Sequence, residues 1–257
     1  MRRAVIWLCG AIPVVALVVL LFCPAAWLAP IVEEQTGGRI TLGDAQGSIW
    51  RGSAFIGAAP SGLDPVTPLL PGRFDWRLSP TALIGVVDAT LENPQALGVP
   101  VQVTGSWSQW QIGPSSLTLP AERLAALGAP LNTILPSGQM QLTWGVLQLA
   151  REGKRVDLTG SMQLDLTDVA SRLSPIRPLG AYRVRMDWQG QKAQVQLSSL
   201  SGPMLLSGNG GIDSGRFHFS GRAQAATGQE ERLANLLNLL GQRRRDGATN
   251  YIALEFR

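Results

Sequence analysis

From Phe74 onward the chain keeps returning to one pattern, an apolar residue at every second position. Phe74, Trp76 and Leu78 alternate with Arg73, Asp75 and Arg77. Met140, Leu142, Trp144 and Val146 repeat the period. In the cleanest run Val156, Leu158, Gly160, Met162, Leu164 and Leu166 share one side, and Asp157, Thr159, Ser161, Gln163 and Asp165 the other. Tyr182, Val184, Met186 and Trp188 then face away from Arg183, Arg185 and Asp187. Val195 and Leu197 stand against Gln194 and Gln196, and Phe217 and Phe219 against His218 and Ser220. Ile252, Leu254 and Phe256 close the series. Successive side chains of a strand point to opposite faces, so each run predicts a strand with one wet and one apolar face. Such strands belong to antiparallel sheets.

Breaks in the pattern predict the connections. Glu33–Gly38 reads as a connector, and Arg39–Leu42 as a strand. Gly47 and Gly52 bracket a small strand with Ile49 and Trp50 on opposite faces. Pro60, Pro65, Pro68 and Pro71 make Ala58–Pro71 a loop. Ala82–Leu91 is a strand, and Asn93-Pro94 a turn. Val101, Val103, Gly105 and Trp107 share a phase that shifts at Trp110 and Ile112, which predicts a bulge or turn near Ser108-Gln109. Pro136-Ser137-Gly138, Gln189-Gly190, Asn209-Gly210 and Ser214-Gly215 read as turns.

Two segments have helical signals. Pro120–Gly128 opens on Pro and closes on Gly. In the other, Thr227 and Glu230 have capping-box spacing, and Leu233, Leu236, Leu237 and Leu240 form one apolar stripe before Gly241. Two short helices cannot cover about ten to twelve one-sided strands. The expectation is a mainly β fold, a curved, mostly antiparallel sheet shaped as a trough or closed as a sandwich. The Leu-rich helix is the candidate plug. Val156, Leu158, Met162, Leu164, Val184 and Trp188 are the candidate apolar lining.

The beginning of the chain is of another kind. Ala4–Val32 holds no charged residue, with Arg2 and Arg3 before it and Glu33 and Glu34 after it. A bilayer core needs about 20 apolar residues of helix. Ala4–Cys23 supplies them before Pro24, with Trp7 and Trp27 near the two headgroup levels and Pro13 as a kink. The basic residues place residues 1–3 in the cytoplasm and export residues 33–257. The length of the run and the poor cleavage site at Ala26–Ala29 favour an uncleaved anchor, residues 4–32, over a cleaved signal peptide.

Composition then narrows the chemistry. Charged residues are 16% of the chain, and the net charge is +4. The Arg243-Arg244-Arg245 run precedes Asp246 and reads as a solvated loop. Cys9 and Cys23 are the two cysteines, both in the apolar segment, so the exported part has no disulfide and no thiol chemistry. The one histidine, His218, sits on a wet face. Asp165 and Asp168 match no calcium loop, and Gly208–Gly211 lacks the helix and lysine of a phosphate cradle. Trp76, Trp144 and Trp188 fall on apolar phases, where packing explains them better than nucleic-acid or sugar stacking. The residues therefore predict a membrane-anchored, non-enzymatic β domain with no metal and no cofactor. It would dock other proteins or hold something apolar.

Several elements taken in order resemble the type II secretion system protein N family (GspN). They are the Thr36-Gly37-Gly38 run and the element of Gly47, Trp50 and Gly52. Then come Trp76, Leu78, Pro80 and Leu83, the Pro120–Gly128 segment, and a strand with Gly138, Leu142 and Trp144. Leu179, Gly180 and Tyr182, a Gly-rich hairpin and the Leu-rich helix complete the set. The resemblance implies a single-pass inner-membrane accessory component that supports export of folded periplasmic proteins across the outer membrane. Its partners would be other inner- or outer-membrane components of that system, and the resemblance carries no catalytic residue. A second resemblance is to the AsmA-like group, β-troughs that transfer lipid. Twelve strands span roughly 55 Å, short for a bridge between membranes. A docking module for another envelope complex is the third reading.

Overall fold

The computed structural model describes residues 22–38, 40–58, 67–123, 136–153, 155–246 and 249–256. It is one 17-stranded sheet, with every pair of neighbouring strands among the described residues antiparallel. The strands are β1 (Ile40–Gly47), β2 (Arg51–Ala58), β3 (Thr67–Pro68), β4 (Phe74–Leu78), β5 (Val86–Glu92) and β6 (Val101–Ser106). They continue as β7 (Gln109–Ile112), β8 (Ser115–Pro120), β9 (Pro136–Trp144), β10 (Leu147–Glu152), β11 (Arg155–Ser171) and β12 (Gly180–Gly190). The last are β13 (Lys192–Ser201), β14 (Met204–Asp213), β15 (Arg216–Ala225), β16 (Gln242–Asp246) and β17 (Thr249–Phe256).

Most of the path is a meander, in which short turns join antiparallel neighbours. β7 and β8 run end to end, as do β9 and β10. β7 pairs with β10, β8 with β9, and the long β11 pairs along both β10 and β9. β17 inserts between β15 and β16. Among the described residues β1 and β16 are free edges, and no second sheet faces the first. The sandwich alternative therefore gives way to one open sheet.

Local chemistry explains several departures from the sequence pattern. Glu33–Gly38 is not a plain connector, because a helix runs over Leu28–Gln35, and Thr36 Oγ1 donates to Val32 O at its end. Gly47 and Gly52 face each other across a hairpin and bracket its turn, not a strand. Pro80–Ile84 forms a 3-10 turn, so the strand expected at Ala82 begins at Val86. Pro136–Gly138 opens β9 opposite a bulge in β11, where Asp168 has φ 52° and Gly138 φ 129°. Asp168 is thus a bulge residue.

Asn209-Gly210 lies inside β14, not in a turn. A Cβ at Gly208 would strike the Phe219 ring and would lie 2.7 Å from Gly221 Cα. Glycine is used there to let an aromatic ring cross the strand. The helix Glu230–Leu240 starts after Gln229 rather than at a Thr227 capping box. The arginine run is strand β16, and not a loop.

Residues 4–21, which hold Trp7, Pro13 and nearly all of the expected span, lie outside the described residues. So do residues 124–128 of the expected Pro120–Gly128 helix. Among the described residues no helix is long and apolar enough to cross a membrane. The main core lies under the C-terminal helix, where Leu233, Leu236 and Leu237 pack with Tyr182, Phe219, Ala223, Ile252 and Leu254. A smaller cluster of Leu119, Ala121 and Met140 meets it through Leu166.

Candidate functional site

The register turns the alternating strands into continuous rows. Directly opposed residues of an antiparallel pair share a face. One row runs Leu117, Leu142, Leu164, Val184 and Leu197 across β8, β9, β11, β12 and β13. The next runs Trp144, Met162, Met186 and Val195, and reaches Phe219 and Phe256 past Gly210. A third runs Leu78, Ala89, Val103, Ile112 and Leu147 across the other half of the sheet. The result is an apolar face that extends across most of the strands.

The opposite face is polar along the same strands. Gln141, Asp165, Arg183 and Ser198 form one of its rows. Arg183 Nε donates to Asp165 Oδ1 at 2.6 Å, and Gln163 donates to Oδ2 at 2.9 Å. Arg183 first, and Gln163 after it, hold the Asp165 carboxyl below its usual range against the opposing effect of burial. Lys192 does the same for Asp213, its partner at the end of the β13–β14 pair away from their turn, with Ser214 assisting.

The six residues expected to line the apolar face all lie on β11 and β12. Leu164 and Val184 are paired, and Met162 is one pair along. Leu158, Met162, Leu164, Val184 and Trp188 are half-buried, and Val156 is exposed at the strand start. Trp188 crosses Gly160, and its Nε1–H is buried without a hydrogen-bond partner among the described residues. By contrast Trp76 and Trp144 donate to the carbonyls of Ile49 and Gly113.

Of the expected plug, Leu233, Leu236 and Leu237 are buried, and the Leu240 side chain lies outside the described residues. The helix packs on β15 and β17, at one end of the face. Beside it an open groove of about 580 Å³ is lined by Ala223, Thr227, Glu230, Tyr251 and Ile252. Of the expected anchor residues, Cys23 accepts a hydrogen bond from Ile49 N at 2.9 Å and Trp27 is exposed.

Among the described residues the singled-out polar groups stand apart from one another. His218 is exposed beside Gly211. Asp165 is engaged by Arg183, while Asp168 stands at the bulge. Among the described residues no three His, Cys, Asp or Glu side chains cluster as a metal site.

One group escaped the reading of the sequence. Leu83, Ile84, Val86 and Trp107 crowd the exposed end of the sheet beside Cys23. Period-two reading assigned Leu83 and Ile84 to a strand. Ser79-Pro80 before them and Gly85 after them were the available turn signal.

Comparison with known proteins adds the biological setting. No curated protein matches the chain, and no solved structure matches it. A family model described as type II secretion system (T2SS), protein N, matches residues 38–251, which is nearly the whole sheet together with its C-terminal helix. With the greater part of its length inside that match, the chain belongs to the type II secretion system protein N family and is a component of that secretion system.

Proposed function

We propose that the chain is an inner-membrane-anchored accessory element of the type II secretion system. It would work through protein–protein contacts rather than catalysis. Residues 4–23 cross the inner membrane, residues 1–3 stay in the cytoplasm, and residues 33–257 lie in the periplasm. There the sheet supports export of folded periplasmic proteins across the outer membrane by contacting inner- or outer-membrane components of the machine. The observation that carries this reading is that the family match covers the sheet itself, residues 38–251. The charge asymmetry around the uncharged segment supports the topology.

Photo-crosslinkers at polar-face positions Gln163 and Arg185 test the contacts in intact cells. Adducts with other secretion components are the expected result. The absence of such adducts from the whole polar face, with the protein present and folded, would sink the reading. Alkaline phosphatase fused after Arg257 tests the topology, and an inactive fusion would reverse it.

The apolar face favours a second reading, in which the sheet curls into a trough that binds or transfers lipid. Its central residues Met162, Leu164 and Val184 are only half-buried, and the helix packs at one end. Open sheets of more than about ten strands curl, which suits a trough.

A further inference from the structure

Phe22, Leu83, Ile84, Val86 and Trp107 are exposed by 74%, 44%, 79%, 52% and 62%. All five stand at one end of the sheet. Pro24 bridges Ser48 in the β1–β2 connection, Leu78 N donates to Trp50 O, and Val86 pairs with Ser106 next to Trp107. The adjoining connections β1–β2, β4–β5 and β6–β7 are thereby tied into one rim. At the far end Val99 and Leu173 are exposed on two separate connections, and Leu200 is exposed near the end of β13.

The rim is built, not left over. Ser79 Oγ accepts from Thr81 N at the start of the 3-10 turn, and Gly85 closes it with φ 91°. Trp107 Nε1 donates to Ala82 O at 2.6 Å and lays its ring beside that turn. A contiguous exposed apolar patch on an ordered turn marks an interaction site. A ring with one apolar body and one satisfied N–H suits a headgroup level.

Two more observations name the occupant. The expected span Ala4–Cys23 ends at Cys23, and Cys23 O is bonded to Ile49 N of this same end, so no spacer separates the span from the rim. Arg51 and Arg77 are exposed and directly opposed on β2 and β4. Like charges in that position repel unless an anion lies between them. No ion pair joins either to a carboxylate among the described residues, although Asp88 lines their common groove of about 460 Å³.

We propose that this end of the sheet docks on the bilayer surface. Leu83, Ile84, Val86 and Trp107 enter the boundary between headgroups and acyl chains, and Arg51 and Arg77 sit on lipid phosphates. The sheet therefore stands upright on the membrane, its far end directed away. This rests on the reading that residues 4–23 cross the membrane.

The test uses the full chain with Cys9→Ser and Cys23→Ser, reconstituted in phosphatidylethanolamine–phosphatidylglycerol vesicles. A nitrobenzoxadiazole label is placed in turn on Ile84→Cys, Val86→Cys, Leu173→Cys and Val14→Cys, and doxyl lipid serves as quencher. Quenching at positions 84 and 86 at least about threefold above that at 173 is expected for groups at the headgroup level. Arg51→Gln combined with Arg77→Gln lowers that quenching. If it does not, the arginines have no part in docking. Position 14 quenched with 84 and 86 unquenched overturns the docking and leaves the anchor. Both sets unquenched overturn both. Positions 84 and 86 quenched without 14 leave docking in place and remove the anchor. Equal quenching at 84 and 173 overturns the upright orientation.

Discussion

Asp165 and Arg183 show how much one polar pair matters on this sheet. They face each other on β11 and β12, each partly exposed, at 2.6 Å. Arg183 lowers the Asp165 pKa in the folded state, so the pair contributes stability above the unfolded carboxyl value of about 4. That contribution is lost as pH falls through the lowered folded value. Asp165→Asn should cost about 1 kcal/mol or less at neutral pH, given the solvent screening of partly exposed pairs. The difference from the parent should vanish on acidification. Urea unfolding of both proteins at neutral and acidic pH measures this, and a gap that widened in acid would contradict the assignment. Tyr182 has the opposite environment. Its hydroxyl is buried and donates to Met204 O at 3.0 Å, and burial pushes its pKa up. The phenol is a neutral donor that fixes the start of β12 against β14.

At the scale of elements, two segments have roles that charge and periodicity alone did not separate. The C-terminal helix is held by its leucine stripe. Leu233 is fully buried, whereas Leu239 on the same helix is 70% exposed. Leu233→Ala should lower unfolding free energy by about 2–5 kcal/mol, and Leu239→Ala by about 0.5 kcal/mol or less. Comparable losses for the two would show that the helix does not pack by this stripe. Strand β16 is a free edge, and free edges invite pairing with another chain. Arg243 and Arg244 place charge along it, with Arg244 bonded to Glu255 at 3.1 Å. Charged side chains on an edge strand discourage such pairing. Replacing both by Val should promote concentration-dependent association, seen as a shift to larger species in size-exclusion chromatography. Unchanged monomer would assign the protection to another feature.

For the whole molecule, the decisive feature is that rows of apolar residues run across a sheet that, among the described residues, is capped by the C-terminal helix at one end. If that face holds lipid, a photoactivatable acyl probe should label Leu164 and Val184 much more than Gln163 and Arg185. Equal labelling would remove the lipid reading and leave the polar-face contacts untouched. Lipid binding and protein docking use opposite faces of the same strands, so the two readings can fail separately. Anchoring belongs to this scale too. The bond from Ile49 N to Cys23 O couples the end of the expected span Ala4–Cys23 to the first hairpin.

Much of the fold was legible because strand alternation is local. Val156–Leu166 announces a strand by itself, and Tyr182–Trp188 announces the next. Their one-sided faces require an antiparallel sheet. Glycine and proline were less legible. Asn209-Gly210 has turn chemistry, yet Phe219 of the neighbouring strand requires glycine at that place. Pro136–Gly138 looks like a turn because the bulge opposite it lies about thirty residues away. Arg243–Arg245 carries no period, and only pairing with β17 makes it a strand. The exposed rim escaped for the same reason: Leu83, Ile84 and Trp107 are distant in sequence and meet only when β4, β5 and β6 lie side by side. Sequence alone determined the apolar segment, the one-sided strands, the leucine stripe and the confinement of both cysteines to residues 1–23, since each depends on neighbours within a few positions. Tertiary structure alone decided that the strands form one open sheet, that the helix covers only one end, and which turns gather beside Cys23, since these depend on register between strands far apart in the chain.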